Sequence, residues 1–192
     1  RAQQRSRRNR YGMPNIALIR YTNAGKSSLL RSLAGADVLV ADAPFATLDP
    51  VTRRIGSQNG EAILVTDTVG FMQKLPTQLV SAFRATLEEL TNADLFLHVV
   101  DAESTAMKSQ YETVLDTLAQ LELSDIPIIT VFNKADRLVY EGIIENITEE
   151  DLRRLPVPNL RNFSGDYYYI SAVQNWGVAA LRDRLIREFF GF

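Results

Sequence analysis

The sequence predicts an α/β fold: a three-layer sandwich around a six-stranded, mainly parallel sheet with one antiparallel edge strand. Three observations point there. Short apolar runs alternate along the chain with amphipathic stretches. Residues 95–100 and 128–132 are almost continuously apolar, as strands buried on both faces by helices must be. The chain has 192 residues, 46% of them hydrophobic, which suits one domain with a core of its own.

The elements follow in order. Residues 15–19 read as a first strand, and a helix over 26–34 comes almost directly after it. Residues 36–58 contain Pro44, Pro50 and few periodic apolar positions, so they read as a long mobile loop leading into an edge strand. Strands are predicted at 62–67, 94–101, 127–133 and 167–171. Between them, Leu79, Val80, Phe83, Leu87 and Leu90 share one face of a helix over 77–92. Tyr111, Val114, Leu115, Leu118 and Leu121 do the same over 106–121. Residues 138–166, with Pro156, Pro158 and Gly165, read as an insertion around one short helix near 148–155. A helix over 178–189, starting just after Gly177, closes the domain.

Composition removes several classes of function. The absence of cysteine excludes disulfide frameworks, thiolate zinc sites and cysteine nucleophiles. No run of eighteen apolar residues occurs and no secretory leader is visible, so a cytoplasmic protein without membrane contact is expected. The net charge of −2 is uneven. Arg1, Arg5, Arg7, Arg8 and Arg10 give residues 1–10 a charge of +5, and the remaining 16 basic and 23 acidic residues give −7. The body thus has no general attraction for nucleic acid, while the leading segment reads as the solvated end of a linker.

The chemistry lies at the predicted strand ends. Arg20-Tyr21-Thr22-Asn23-Ala24-Gly25-Lys26-Ser27 joins the first strand to its helix, and matches the phosphate-loop pattern G-x-x-x-x-G-K-[ST] except for Arg20 at its first position. Backbone N–H groups from Asn23 through Ala24, Gly25 and Lys26 to Ser27 and Ser28 would face phosphate oxygens, helped by the partial positive charge of a helix N-terminus. Lys26 would reach the β- and γ-phosphates and the Ser27 hydroxyl would ligate Mg²⁺. Asp67-Thr68-Val69-Gly70 is a D-x-x-G arrangement, with Asp67 placed to hold Mg²⁺ through water and the Gly70 N–H to sense the γ-phosphate. Asn133-Lys134-Ala135-Asp136 is N-K-x-D, whose Asp136 can accept two hydrogen bonds from guanine that adenine does not offer. Ser171-Ala172 follows the last strand, where the Ala172 N–H can bind guanine O6. Each motif alone is common. An ordered set at the C-terminal ends of parallel strands, where open α/β sheets bind ligands, points to a P-loop nucleotide fold reading GTP and GDP.

The sequence then resembles one family. Tyr21 to Ser27 is similar to the phosphate loop of the HflX family of ribosome-associated GTPases, in the Obg-HflX group. Phe45-Ala46-Thr47-Leu48-Asp49-Pro50 with Thr52-Arg53-Arg54 resembles its first switch. Asp67 to Phe71 with Leu75-Pro76, Leu79-Val80, Ala82-Phe83 and Thr86-Leu87-Glu88-Glu89 resembles its second, and Ala93-Asp94 and His98-Val99-Val100-Asp101-Ala102 continue the match. The resemblance is dense over 14–136, loose over 167–185 and absent from 138–166. It implies that Thr47 is the switch threonine that ligates Mg²⁺ with GTP bound. It implies an upstream domain, with residues 1–13 as the basic end of the linker to it and 14–192 as the GTP-binding domain. It also implies the large ribosomal subunit as partner of the full-length protein; a monomer is expected. Asn23 resembles an asparagine that holds K⁺ beside the phosphates in several related GTPases; a plain loop hydrogen bond is the alternative. Phe71 stands where Ras-like proteins keep the glutamine that orients water, so unassisted hydrolysis should be slow.

Two residues depart from the family: Arg20 replaces a glycine, and Val173 stands where a lysine or polar residue follows Ser-Ala. The arginine is expected to push the loop amides off the phosphates. Two rival readings stay open: an interaction module whose phosphate loop no longer works, and an ATP-using P-loop enzyme, which Asp136 opposes. His98, inside an apolar strand, is expected to be a satisfied core residue, and Trp176 to pack near the last helix.

Overall fold

The structure, a computed structural model, describes residues 13–21, 24–35, 51–56, 60–67, 90–138, 147–156, 158–160, 163 and 165–191. In chain order these form β1 (Asn15–Arg20), α1 (Lys26–Ala34), β2 (Val51–Gly56), β3 (Ala62–Asp67), β4 (Leu95–Asp101), α2 (Met107–Gln120), β5 (Ile128–Asn133), α3 (Glu149–Arg153), β6 (Tyr167–Tyr169) and α4 (Val178–Phe190). A 3₁₀ turn at Ala135–Arg137 follows β5.

The six strands make one sheet in the order β2-β3-β1-β4-β5-β6, parallel throughout except for β2, which runs antiparallel to β3. The α/β sandwich with one antiparallel edge strand is therefore the observed fold. After β1 the chain goes first to the edge strand β2, comes back inward through β3 beside β1, and then builds the other side from β4. The order reverses between β1 and β4, and the crevice at such a reversal is where open sheets hold ligands.

Alternation along β1 explains the three layers. Ile16 and Leu18 face the cluster formed with Leu29, Leu30 and Leu33 of α1 and Leu181 and Leu185 of α4. Ala17 and Ile19 face the opposite cluster, with Val114 and Leu118 of α2 and Leu90. All four β1 residues are fully buried, so truncating Leu18 to alanine would cost roughly 3–5 kcal/mol. A third cluster under the far end of the sheet gathers Val100, Tyr111, Phe132, Leu152 and Tyr169.

The helix expected over 77–92 lies outside the described residues except at its end, where Leu90 is buried as its place in the pattern requires. Of the loop expected over residues 36–58, Val51–Gly56 are instead the edge strand β2, and residues 36–50 and 57–59, like residues 1–12, lie outside the described residues. The last strand ends at Tyr169 rather than 171, because Ser171 leaves the ladder to pair with Trp176 through two backbone hydrogen bonds. The short helix near 148–155 is α3. Its Thr148 hydroxyl accepts from the Asp151 N–H while the Asp151 carboxylate accepts from the Thr148 N–H, a capping box. The Tyr169 hydroxyl donates to the Pro156 carbonyl at 2.8 Å and ties this insertion to β6. Gly177 opens α4 with φ 67°, and a Cβ there would stand 2.7 Å from the Tyr169 carbonyl oxygen.

Candidate functional site

The loop after β1 starts from Arg20, the last residue of the strand, paired with Val99. Its φ is not positive, so the backbone at this position accepts a side chain without strain. Its Nε is buried and has no hydrogen-bond partner among the described residues. Thr22 and Asn23 lie outside those residues, so the K⁺ expectation at Asn23 has no structural counterpart.

Gly25 is the hinge between loop and helix. It is the N-cap of α1 with φ 83°, and a Cβ added to it would stand 2.4 Å from Asn133 Nδ2. Glycine is thus required twice, by conformation and by the close passage of Asn133. Helix hydrogen bonding begins at once, Leu29 N–H donating to the Gly25 carbonyl at 3.0 Å. Lys26, at 4% exposure, is ion-paired with Asp67 at the end of β3. Burial pushes the Lys26 pKa down, against the raising influence of Asp67, and the nearby Arg20 charge lowers it further. Ser27 is exposed at the helix start and Ser28 is half-buried. Lys26 and Asp67 are therefore in contact, with Ser27 next to Lys26 at the helix start, whereas Thr47 and Gly70 lie outside the described residues, as does Phe71.

Asn133 joins the motifs. Its Nδ2 donates to the Ala24 carbonyl at 2.9 Å, and its Oδ1 accepts from the Ala172 N–H at 3.0 Å. One buried amide thus binds the end of β5 to the phosphate loop and to the turn after β6, residues 109 and 39 positions away in sequence. Breaking both bonds would cost roughly 2–4 kcal/mol, since each leaves a buried polar group unpaired. The same contact qualifies the expectation for Ala172, whose N–H is already given to Asn133; a purine O6 would have to share it. Ser171 is fully buried, and its Oγ accepts from the Gln174 N–H at 3.1 Å.

Lys134 adopts φ 67°, rare for a residue with a side chain, and its Nζ donates to Asp101 Oδ2 at 2.5 Å. The 3₁₀ turn then presents Asp136, half-buried, with no hydrogen bond or ion pair to its carboxylate among the described residues. That is the state a reader of base N–H groups needs. Val173, next to this end, is 77% exposed.

Neither the bracing role of Asn133 nor the hold of Asp101 on Lys134 is apparent from spacing. The one signal available is the parallel register that sets Asp101 beside Asn133. His98 is in the core as expected, its ring 5.0 Å from Tyr111 and stacked on it. It is not satisfied, however: Nδ1 has no partner among the described residues, and burial drives its pKa down to about 3. Trp176 packs on the third cluster, just ahead of α4.

With that geometry in view, residues 15–134 match the family model described as 50S ribosome-binding GTPase. The chain is 41% identical over 187 residues to the GTPase HflX of Caldanaerobacter subterraneus subsp. tengcongensis, covering 97% of this chain and 39% of that protein. It is 49% identical over 138 residues to the GTPase HflX of Chlamydia pneumoniae, covering 72% of this chain and 29% of that protein. Among solved structures it is similar to a GTP-binding protein from Sulfolobus solfataricus in complex with GDP, with a TM-score of 0.63 and 27% identity, covering 91% of this chain and 51% of the other. The chain thus spans less than half the length of these HflX relatives.

Proposed function

Because this chain belongs to the 50S ribosome-binding GTPase family, with a GTPase domain of HflX type, we propose that it is the GTP-binding, slowly hydrolysing switch domain of a ribosome-associated GTPase. The observation that carries this reading is Asn133, which holds the phosphate loop, the N-K-x-D turn and the Ser-Ala turn together at one end of the sheet. A turn with a chance lysine has no reason to be tied to two distant loops by one amide.

The residues take roles accordingly. Amides of Asn23, Ala24, Gly25, Lys26, Ser27 and Ser28 receive the phosphates, and Lys26 leaves Asp67 to neutralise the β- and γ-oxygens. Asp136 reads the two guanine donors, with Lys134, Ser171 and Ala172 around the base. The donor set suits Mg²⁺: the Ser27 hydroxyl, the Asp67 carboxylate and, with GTP bound, Thr47. Bound there, Mg²⁺ supplies charge compensation for the transferring phosphoryl group. Water attacks the γ-phosphorus directly and GDP leaves, while Gly70 reports the γ-phosphate. Ribosome contact belongs to the full-length protein, with residues 1–13 as the linker to its upstream domain and 14–192 as a monomeric cytoplasmic GTPase domain. No helix of the described residues is long and apolar enough to cross a membrane.

Isothermal titration with GDP, GTP and ATP in Mg²⁺ tests the reading. Guanine nucleotides should bind and ATP should not compete. Binding of none would leave the alternative, an interaction module with a disabled phosphate loop. With Phe71 in place of a water-orienting glutamine, turnover without ribosomes should be about 10⁻⁴–10⁻² per second. If Asn23 holds K⁺, exchanging KCl for NaCl lowers that rate and Asn23→Ala abolishes the difference; equal rates in the two salts would remove K⁺ from the site.

A further inference from the structure

Asp101 ends β4 beside Asn133 of β5, and both its carboxylate oxygens are engaged. Oδ1 accepts from the Glu103 N–H at 3.1 Å, and Oδ2 takes the Lys134 ammonium at 2.5 Å. The pair is mostly shielded, at 29% and 15% side-chain exposure, so solvent weakens it only in part. Lys134 reaches it from a left-handed backbone conformation, the kind of local strain that persists only where surrounding contacts impose it. Two residues further along the same turn stands Asp136, its carboxylate without a partner among the described residues. A lysine at position 134 that lost Asp101 would be free to seek that carboxylate, two residues along the chain. The phosphate end shows what such proximity does: there Lys26 has paired with Asp67.

We propose that Asp101 is a positioning residue for base recognition: by holding the Lys134 ammonium on β4 it keeps Asp136 unpaired and open to the donors of a guanine ring. This rests on the guanine-nucleotide reading above. The carboxylate of Asp101 does not touch the nucleotide; it acts through Lys134, and the left-handed turn at Lys134 is what aims the side chain towards β4.

The test is GDP affinity in two backgrounds, measured by titration on folded protein. Asp101→Asn should weaken GDP binding about five- to twenty-fold, because the released ammonium competes for Asp136. In the Lys134→Met background the same change should have almost no effect, since no ammonium is left to release. Asp101→Glu keeps a carboxylate within reach and should bind within about two-fold of the parent, which guards against loss of fold in the asparagine variant. An equal loss in both backgrounds, or none in either, would overturn the proposal. Failure of the parent chain to bind GDP would instead overturn the reading on which it rests.

Discussion

The two ends of the crevice hold their polar groups in opposite ways. At the base end the buried polar groups are neutral, the Asn133 amide and the Ser171 hydroxyl, with Thr130 and His98 paired three residues further back along β5 and β4. Its ion pair, Lys134–Asp101, lies nearer the surface and leaves Asp136 open. At the phosphate end a charged group is buried: Lys26, set against the half-buried Asp67. Lys26 and Asp67 neutralise each other, and Arg20 stands close enough for its charge to bear on Lys26. The base end is therefore already in its receiving state, whereas the phosphate end is occupied by itself. On the proposed reading a triphosphate must separate Lys26 from Asp67, and the freed carboxylate would then be left for a metal ion. Breaking one partner out of a buried pair is costly unless the other is compensated at once. Phosphate and Mg²⁺ should accordingly bind together rather than in sequence.

That contrast can be broken most severely with acid. The folded-state pKa of His98, about 3, lies below its ordinary 6.5 because burial disfavours the charged ring. The unfolded chain thus binds more protons than the folded chain between these values. Stability from this group is full above pH 6.5 and is lost as the pH falls towards 3, by at most about 4–5 kcal/mol. His98→Phe keeps a ring to stack on Tyr111 and removes the titration. Urea unfolding across pH 7 to 3.5 should show a shallower decline for the variant; parallel declines would mean that His98 is protonated in the folded protein. Next in size is Asp136→Asn, which on the proposed reading removes the acceptor for the guanine donors. It should weaken GDP by about 2–4 kcal/mol and shift preference towards xanthine nucleotides, while leaving the phosphate end alone. Unchanged GDP affinity would place base recognition elsewhere.

Legibility follows the same division. Lys26–Ala34 and Ala62–Asp67 match their sequence patterns residue for residue, and α2, β4 and β5 differ by a residue or so at their ends. These elements are written in local periodicity and in strand-end punctuation, which a single chain displays. The requirement for Gly25 was visible in its motif, but half of its cause, the approach of Asn133, was not. Contacts made by one side chain to loops 39 and 109 residues away leave no local trace. Asp101 is the same case: an aspartate at a strand end reads as a turn residue until the register sets it next to the lysine it holds. The unsatisfied Nδ1 of His98 was missed because a polar residue in an apolar run implies a partner, and none is within reach among the described residues.

The smallest expected effect concerns Arg20, which decides how the phosphate end performs. Its backbone is extended strand without positive φ, so the Cβ alone is no obstacle at that point. What the arginine adds is a guanidinium beside Lys26, with Nε buried and unpaired among the described residues. Two consequences oppose each other. A second cation attracts phosphate, which favours binding. A bulky chain at the head of the loop would displace the amides that the proposed reading converges on the β-phosphate, and a shift of about 1 Å would weaken all of them together. Displacement should win, because several aligned donors outweigh one flexible charge. Arg20→Gly is therefore expected to bind GDP and GTP at least ten-fold more tightly, about 1.4 kcal/mol. Arg20→Ala removes the charge and the bulk together but keeps the Cβ, so it reads their net effect apart from that of the Cβ. An alanine variant that binds like the glycine one assigns the penalty to the long side chain. One that binds more weakly than the parent shows that the guanidinium contacts phosphate, and that the phosphate end has turned its surplus charge to use.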